Sequence, residues 1–225
     1  VKFAHPLHAK SILIALNENR KNPNLCDGVV IIEGKEIPVQ RNVLAAASAY
    51  FRGLYSFDIP GCKPVLPTVT NMDADHLSSE AFELILDYIY TAEIHLCDDN
   101  IQELLQAADL LLMSDLKDLC CEYLEQCIST QNCLGIQDFT DKLSCPRVHQ
   151  AAISFMDENF IDVSYTDEFI QLGVEQLKQV LQRTSLSAPQ EDTILDCILR
   201  WIQHDPEQRK PLLQELLASC VKMNL

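Results

Sequence analysis

The sequence predicts an α+β fold with a long helical remainder, and three observations carry that reading. Strand-like runs are confined to the first third of the 225 residues, where CDGVVIIEGKEIPV sets two β-branched stretches around a Gly turn. From Phe82 onward, apolar residues recur at steps of three and four, which is the spacing of a helix with one buried face. After Cys127 only helix-like segments follow, so strands and helices are segregated along the chain rather than alternating as a parallel βαβ sheet requires.

Each element follows in order. Leu7, Ile12, Leu13 and Leu16 approximate a single stripe closed by Asn17, Glu18, Asn19 and Arg20, the pattern of a short amphipathic helix. The two β-branched runs form a hairpin that turns at Glu33-Gly34-Lys35. Arg41 to Tyr55 returns to helix-compatible Ala and Leu, and Asp58 to Asp75, with Pro60, Gly61, Pro64 and Pro67, reads as the longest irregular loop. Three helices are then marked by Phe82, Ile85, Leu86 and Ile89; by Ile101, Leu104, Leu105 and Ala108; and by Leu116, Leu119, Cys120, Tyr123 and Leu124.

The domain boundary is expected near Ser129, giving domains 1–128 and 129–225. In the second, Leu134 to Leu143, Val148 to Phe160, Leu177 to Leu181 and Ile194 to Ile202 read as helices separated by SCP, DVSYTDE and SLSAP. Ser187 with Gln190 has capping-box spacing, Pro189 suits a first turn, and Asp205-Pro206 ends one helix and starts another. Trp201, flanked by Leu199 and Ile202, reads as a core anchor, and His149 and His204 as surface or capping residues.

Composition narrows the function classes. The net charge is −16, from 33 acidic against 17 basic residues, and the densest basic spots are the single pairs Arg20-Lys21 and Arg209-Lys210. Nucleic acid is therefore not an expected ligand, because phosphate binding needs clustered cations. The dispersed acid reads either as a solvated surface or as a match for a partner with a basic face. The longest apolar runs fall short of the ~20 residues of a bilayer span, and no leader-like segment opens the chain, so a cytoplasmic or nuclear protein is expected, with no membrane partner.

Ten cysteines include the vicinal pair Cys120-Cys121 but no CxxC, and several fall on apolar helix faces where a reduced thiol behaves as a small hydrophobe. Six histidines are scattered. No metal site and no cofactor is expected, and a cysteine enzyme would need a base beside its nucleophile that no local motif supplies. The chain reads as non-catalytic.

The blocks HAKSILIALNENR, Cys26-Asp27, VLAAASAYF, Leu86 to Thr91, AADLLLMSDLKDLCCEYLEQCI, NCLGIQDF and LRWIQHDPEQRKPLLQELL resemble, nearly end to end, the BTB (POZ) domain followed by a BACK domain of Kelch-like proteins. One departure is Gln40, where most family members carry His. The resemblance implies a small β-sheet flanked by helices, followed by all-α helical hairpins whose start includes a cullin-binding 3-box.

It further implies a homodimer built through the first helix, with Ile12, Leu13 and Leu16 at the interface and a charged pocket of Asp27 and Arg41 beside it. A stripe buried inside the same chain is the alternative for the three apolar residues, and simple exposure for the charged two. For cullin-3 binding it implies Tyr55, Phe57, Leu111, Met113 and Asp115, with Asn132 and Ile136 bordering the groove; core packing is the alternative for Leu111. The implied function is a substrate adaptor of a cullin-3 ubiquitin ligase, cytoplasmic, with a cytoskeleton-associated or nuclear location as the alternative, whose protein substrate is bound by a Kelch propeller elsewhere. A BTB scaffold that recruits a transcriptional corepressor is the alternative, and the BACK-like half speaks for the adaptor.

Overall fold

The computed structural model describes residues 5, 7–56, 68–72, 77–183 and 191–220. The chain divides into two compact units, Val1–Cys120 and Cys121–Leu225.

In the first unit, helix α1 (His8–Asn19) precedes a hairpin of β1 (Gly28–Ile32) and β2 (Lys35–Val39). The hairpin turns on Glu33 and Gly34, both at positive φ (52° and 76°), so the two-residue loop has the backbone twist that matches right-handed strands. Helices α2 (Arg41–Ala47) and α3 (Ala49–Ser56) follow, broken at Ser48, whose backbone is extended and whose hydroxyl donates to the Leu111 carbonyl at 2.6 Å. Strand β3 (Thr68–Asn71) then pairs parallel with β1, giving the order β2-β1-β3. This corrects the expectation of an irregular Asp58–Asp75 loop. The four-residue strand is mostly polar, so neither period nor composition announces it, and its partner is remote in sequence.

Helices α4 (Ser79–Thr91), α5 (Ile101–Leu110) and α6 (Ser114–Cys127) match the three predicted repeats, and the division between units falls within α6. Val30, Ile32, Leu44, Phe51, Phe82, Ile85, Leu86, Leu104, Leu105 and Leu116 are fully or almost fully buried.

The second unit is helical throughout its described residues: α7 (Cys133–Lys142), α8 (Pro146–Glu158), α9 (Phe160–Val163), α10 (Asp167–Gln171), α11 (Val174–Leu181), α12 (Glu191–His204), α13 (Pro206–Arg209) and α14 (Leu213–Cys220). Thus DVSYTDE is not only a connector. Thr166 within it accepts the Phe169 N–H and starts the five-residue α10, too short to show a period of its own. Asp205 caps α13 as its Asp-Pro spacing predicts. The Ser187–Gln190 capping box lies outside the described residues.

Around Trp201 gather Met156, Phe160, Phe169, Leu177, Ile198 and Leu216. The indole N–H donates to the Leu172 carbonyl at 2.9 Å, and the Arg209 guanidinium lies 4.0 Å from the ring centroid, so the one polar atom of the anchor is satisfied and one face carries a cation.

Candidate functional site

Two surfaces of the first unit collect the residues singled out from the sequence. The first is α1. None of its residues is buried: Ile12 is 47% exposed and Ile14 53%, Leu7 just before it 63%, while Leu13 and Leu16 are half-buried. The helix is fastened by its C-terminal end, where Arg20 bonds Asn17 and Asp87 of α4 and lies 5.4 Å from the Tyr90 ring centroid. An apolar row is thus anchored to the unit without being covered by it.

Beside that anchor, among the described residues, Asp27 and Arg41 meet without a bond between carboxylate and guanidinium, so the charged pocket takes another form. The Asp27 carboxylate accepts the backbone N–H of Arg41 at 2.7 Å, holding the start of α2, while the Arg41 guanidinium lies 4.7 Å from the ring centroid of Tyr55. Arg41 is the first residue of α2, so its backbone N–H has no partner within the helix and Asp27 satisfies it. The buried Gln40 side chain just before it accepts the Tyr90 hydroxyl at 3.0 Å and makes no cap. Burial, the largest cause, pushes the Tyr90 hydroxyl up to about 12, against the smaller opposing pull of Arg20. Gly28 is required here, since a Cβ at that position would stand 2.9 Å from the Arg41 Cγ.

The second surface is a groove of about 200 Å³ between the end of α4 and the α5–α6 corner. Tyr88, Ile89, Leu112, Met113 and Asp115 line it. The corner is built by a helix end with two backbone bonds, Met113 N–H to the Ala108 carbonyl (2.9 Å) and Leu112 N–H to the Asp109 carbonyl (3.1 Å). That arrangement places residue 112 in the left-handed region, usually a glycine position, yet Leu112 occupies it at φ 53° with 61% of its surface exposed. A branched side chain there costs ~1–2 kcal/mol. The backbone thus holds an apolar side chain in solvent at the lip of the groove.

The predicted residues divide accordingly. Leu111 is fully buried and its carbonyl is taken by Ser48, so its side chain belongs to the core; the neighbouring Leu112, not singled out in the sequence, is the exposed one. Met113 is 5% exposed and forms groove wall, and Asp115 is exposed at the rim. Burial raises the Tyr88 hydroxyl above its usual range, and the Asp115 charge adds to the effect. Tyr55 is half-buried against Arg41 and the Phe51 ring, and Phe57 lies outside the described residues.

In the second unit, Asn132 spends its side chain locally. Its Oδ1 accepts the Ser129 N–H at 2.7 Å and its Nδ2 donates to the Cys127 carbonyl at 2.9 Å. Ile136 is 9% exposed. The start of α7 beneath them is held by Glu168, whose carboxylate accepts the N–H groups of Leu134 and Gly135; a Cβ at residue 135 would stand 2.6 Å from it. Among the described residues no group of His, Cys, Asp and Glu could hold a metal ion, and no helix is long and apolar enough to cross a membrane.

Comparison with known proteins fits this architecture. A BTB/POZ domain profile matches residues 16–128, and a profile described as BTB And C-terminal Kelch (BACK) matches 133–225. Human gigaxonin is 39% identical over 214 residues, covering 95% of this chain and 35% of that protein. Rat Kelch-like protein 2 is 33% identical over 213 residues with the same coverage. The solved BTB domain of human gigaxonin aligns at 40% identity with a TM-score of 0.47, covering 55% of this chain and 96% of that one. The chain spans about a third of the length of these curated relatives. With a three-stranded BTB sheet followed by a helical BACK region, and both profiles matched in sequence order, the chain belongs to the BTB–BACK family of Kelch-like proteins.

Proposed function

We propose that this chain is the dimerising and ligase-binding part of a non-catalytic substrate adaptor for a cullin-3 ubiquitin ligase. The observation that carries the reading is the groove of the first unit, where a strained, solvent-exposed Leu112 stands beside Met113, Tyr88 and the acidic rim of Asp115. A protruding apolar residue next to a partly apolar groove is how a small surface makes a hot-spot contact. The BTB/POZ domain is taken as 1–128 and the BACK domain as 129–225.

In this reading the exposed row of α1, with Ile12 and Ile14 outermost and Leu13 and Leu16 beneath, pairs with a second copy. Asp27 and Arg41 act beside that interface by fixing the start of α2. The cullin-3 N-terminal domain engages the groove and, separately, the first helices of the second unit around Asn132 and Ile136. Two copies present two cullin sites, which raises effective concentration without new contacts. The substrate is bound by a Kelch propeller outside residues 1–225, and the adaptor works in the cytoplasm.

The test is calorimetric titration of the chain with the cullin-3 N-terminal domain, reading affinity and stoichiometry together. A two-to-two complex is expected, with Leu112→Asp lowering affinity about tenfold or more, or roughly 1.4 kcal/mol. Binding that is absent, or indifferent to Leu112→Asp, would sink the assignment of this groove.

A further inference from the structure

The second unit contains a cavity of about 180 Å³ whose lining includes none of the residues assigned to the adaptor surfaces. Its walls come from α7, α8 and α11, and Gln176, Gln179 and Arg183 of the lining bring donors. Leu134 and Val180 supply apolar surface, while Gln137, His149 and Asp141 supply acceptors.

The Gln137 side-chain oxygen is buried and has no hydrogen-bond partner, a costly condition for an interior acceptor. His149 points its Nδ1 at the Gln137 carbonyl at 3.0 Å. A carbonyl only accepts, so Nδ1 donates, and of the two neutral tautomers this contact selects the one that leaves Nε2 as an acceptor. Asp141 is exposed at the cavity edge and its carboxylate has no partner among the described residues.

The cations already present do not complete the site. Lys142 pairs with the other rim acid, Asp138, at 2.7 Å. Arg183, which also lines the cavity, is clamped by both oxygens of Asp157 at 2.9 Å each, so its charge is neutralised where an incoming cation would meet it. What is left is an unsatisfied neutral acceptor inside, a free carboxylate at the edge, and walls of Leu134, Leu172 and Val180 interrupted by the amides of Gln176 and Gln179. A group that donates several hydrogen bonds, carries positive charge and has an apolar stem matches all three.

We propose that this cavity binds a cationic side chain, a guanidinium or ammonium group on an extended segment of a protein partner. The proposal gives the acidic balance of the chain a specific address. The cavity shares α7 with the proposed second cullin contact but is lined by neither Asn132 nor Ile136, so Leu112→Asp in the first-unit groove leaves this binding unchanged and separates the two readings.

The experiment is an NMR titration of the isotope-labelled 225-residue chain with three probes: a capped Gly-Arg-Gly peptide, its citrulline counterpart, and guanidinium chloride. Saturable shifts at Gln137, Asp141 and His149 are expected with the arginine peptide, weakened about tenfold by citrulline and by Asp141→Asn, and unchanged by Glu207→Gln. Gln137→Leu, which keeps the bulk but removes the acceptor, weakens binding while the circular-dichroism melting curve stays unchanged. Binding of the peptide more tightly than guanidinium assigns a partner's side chain; equal binding assigns a free small cation to the same chemistry. Citrulline binding as well as arginine, or shifts that do not saturate at these residues, overturns the proposal.

Discussion

Helices α1 and α12 make an instructive pair. Both carry apolar residues on one side and polar residues on the other, yet α12 buries Ile194, Cys197, Ile198, Trp201 and Ile202 in the core of its own unit, whereas no residue of α1 is buried. The difference is one of surroundings. Helix α12 is packed by several elements of the helical unit, including α10, α13 and α14, while the main neighbour of α1 among the described residues is α4. An apolar stripe states that a cover is needed; only the arrangement of neighbours says whether the chain supplies it. In the BTB/POZ unit it does not, which is why self-association is the natural reading of α1.

The largest effect expected from this contrast is at the covered helix. Trp201→Ala should cost ~3–5 kcal/mol, through lost burial and a cavity, measured as a shift in the denaturant midpoint. A small shift would mean that the core around α12 can collapse into the space. At the uncovered helix, Ile12→Asp combined with Ile14→Asp should leave the melting temperature nearly unchanged and weaken self-association about a hundredfold, roughly 2.7 kcal/mol. Sedimentation equilibrium measures this; a melting drop with no change in mass would show the row to be covered within the chain.

Arg41 and Arg52 sharpen the same distinction on neighbouring helices. Arg41 stacks on Tyr55 and lays its stem over Gly28, whereas Arg52 is exposed. Arg41→Ala is expected to cost ~1–2 kcal/mol, from cation–π contact and stem packing, and Arg52→Ala under ~0.5 kcal/mol, as for an ordinary surface change. Equal effects in thermal unfolding would remove Arg41 from the frame of the interface. The smallest change runs in the opposite direction. Leu112→Asn should stabilise the fold by about 0.5–1 kcal/mol, because Asn tolerates the left-handed conformation better than Leu, while weakening cullin-3 binding. Stabilisation with undiminished binding would leave the strain without a functional role.

Much of the fold could be read before any coordinates. The turn at Glu33-Gly34 was legible because a Gly stands between two β-branched runs, although nothing in Glu33 announces its positive φ, and α4, α5 and α6 were legible because their periods extend over several turns. β3 and α10 were not, since four or five residues cannot display a period and their identity rests on partners distant in sequence. The candidate site was legible only as a neighbourhood. Within Leu110-Leu111-Leu112 the sequence offers three equivalent side chains, and the helix end decides that Leu111 turns into the core while Leu112 turns out. Asp27 and Arg41 meet through the Arg41 backbone N–H and not through its guanidinium, a choice of atoms that residue types alone do not reveal.

The sequence by itself determined the two-part α+β and all-α plan, the family and the existence of an apolar stripe on α1, because local periods, turn chemistry and motif spacing are properties of neighbouring residues. Only the tertiary structure decided which face is left open, which leucine lines the groove and that an acceptor-rich cavity lies among α7, α8 and α11. Exposure, strain and unsatisfied hydrogen bonds belong to residues brought together by the fold, and no single stretch of chain contains them.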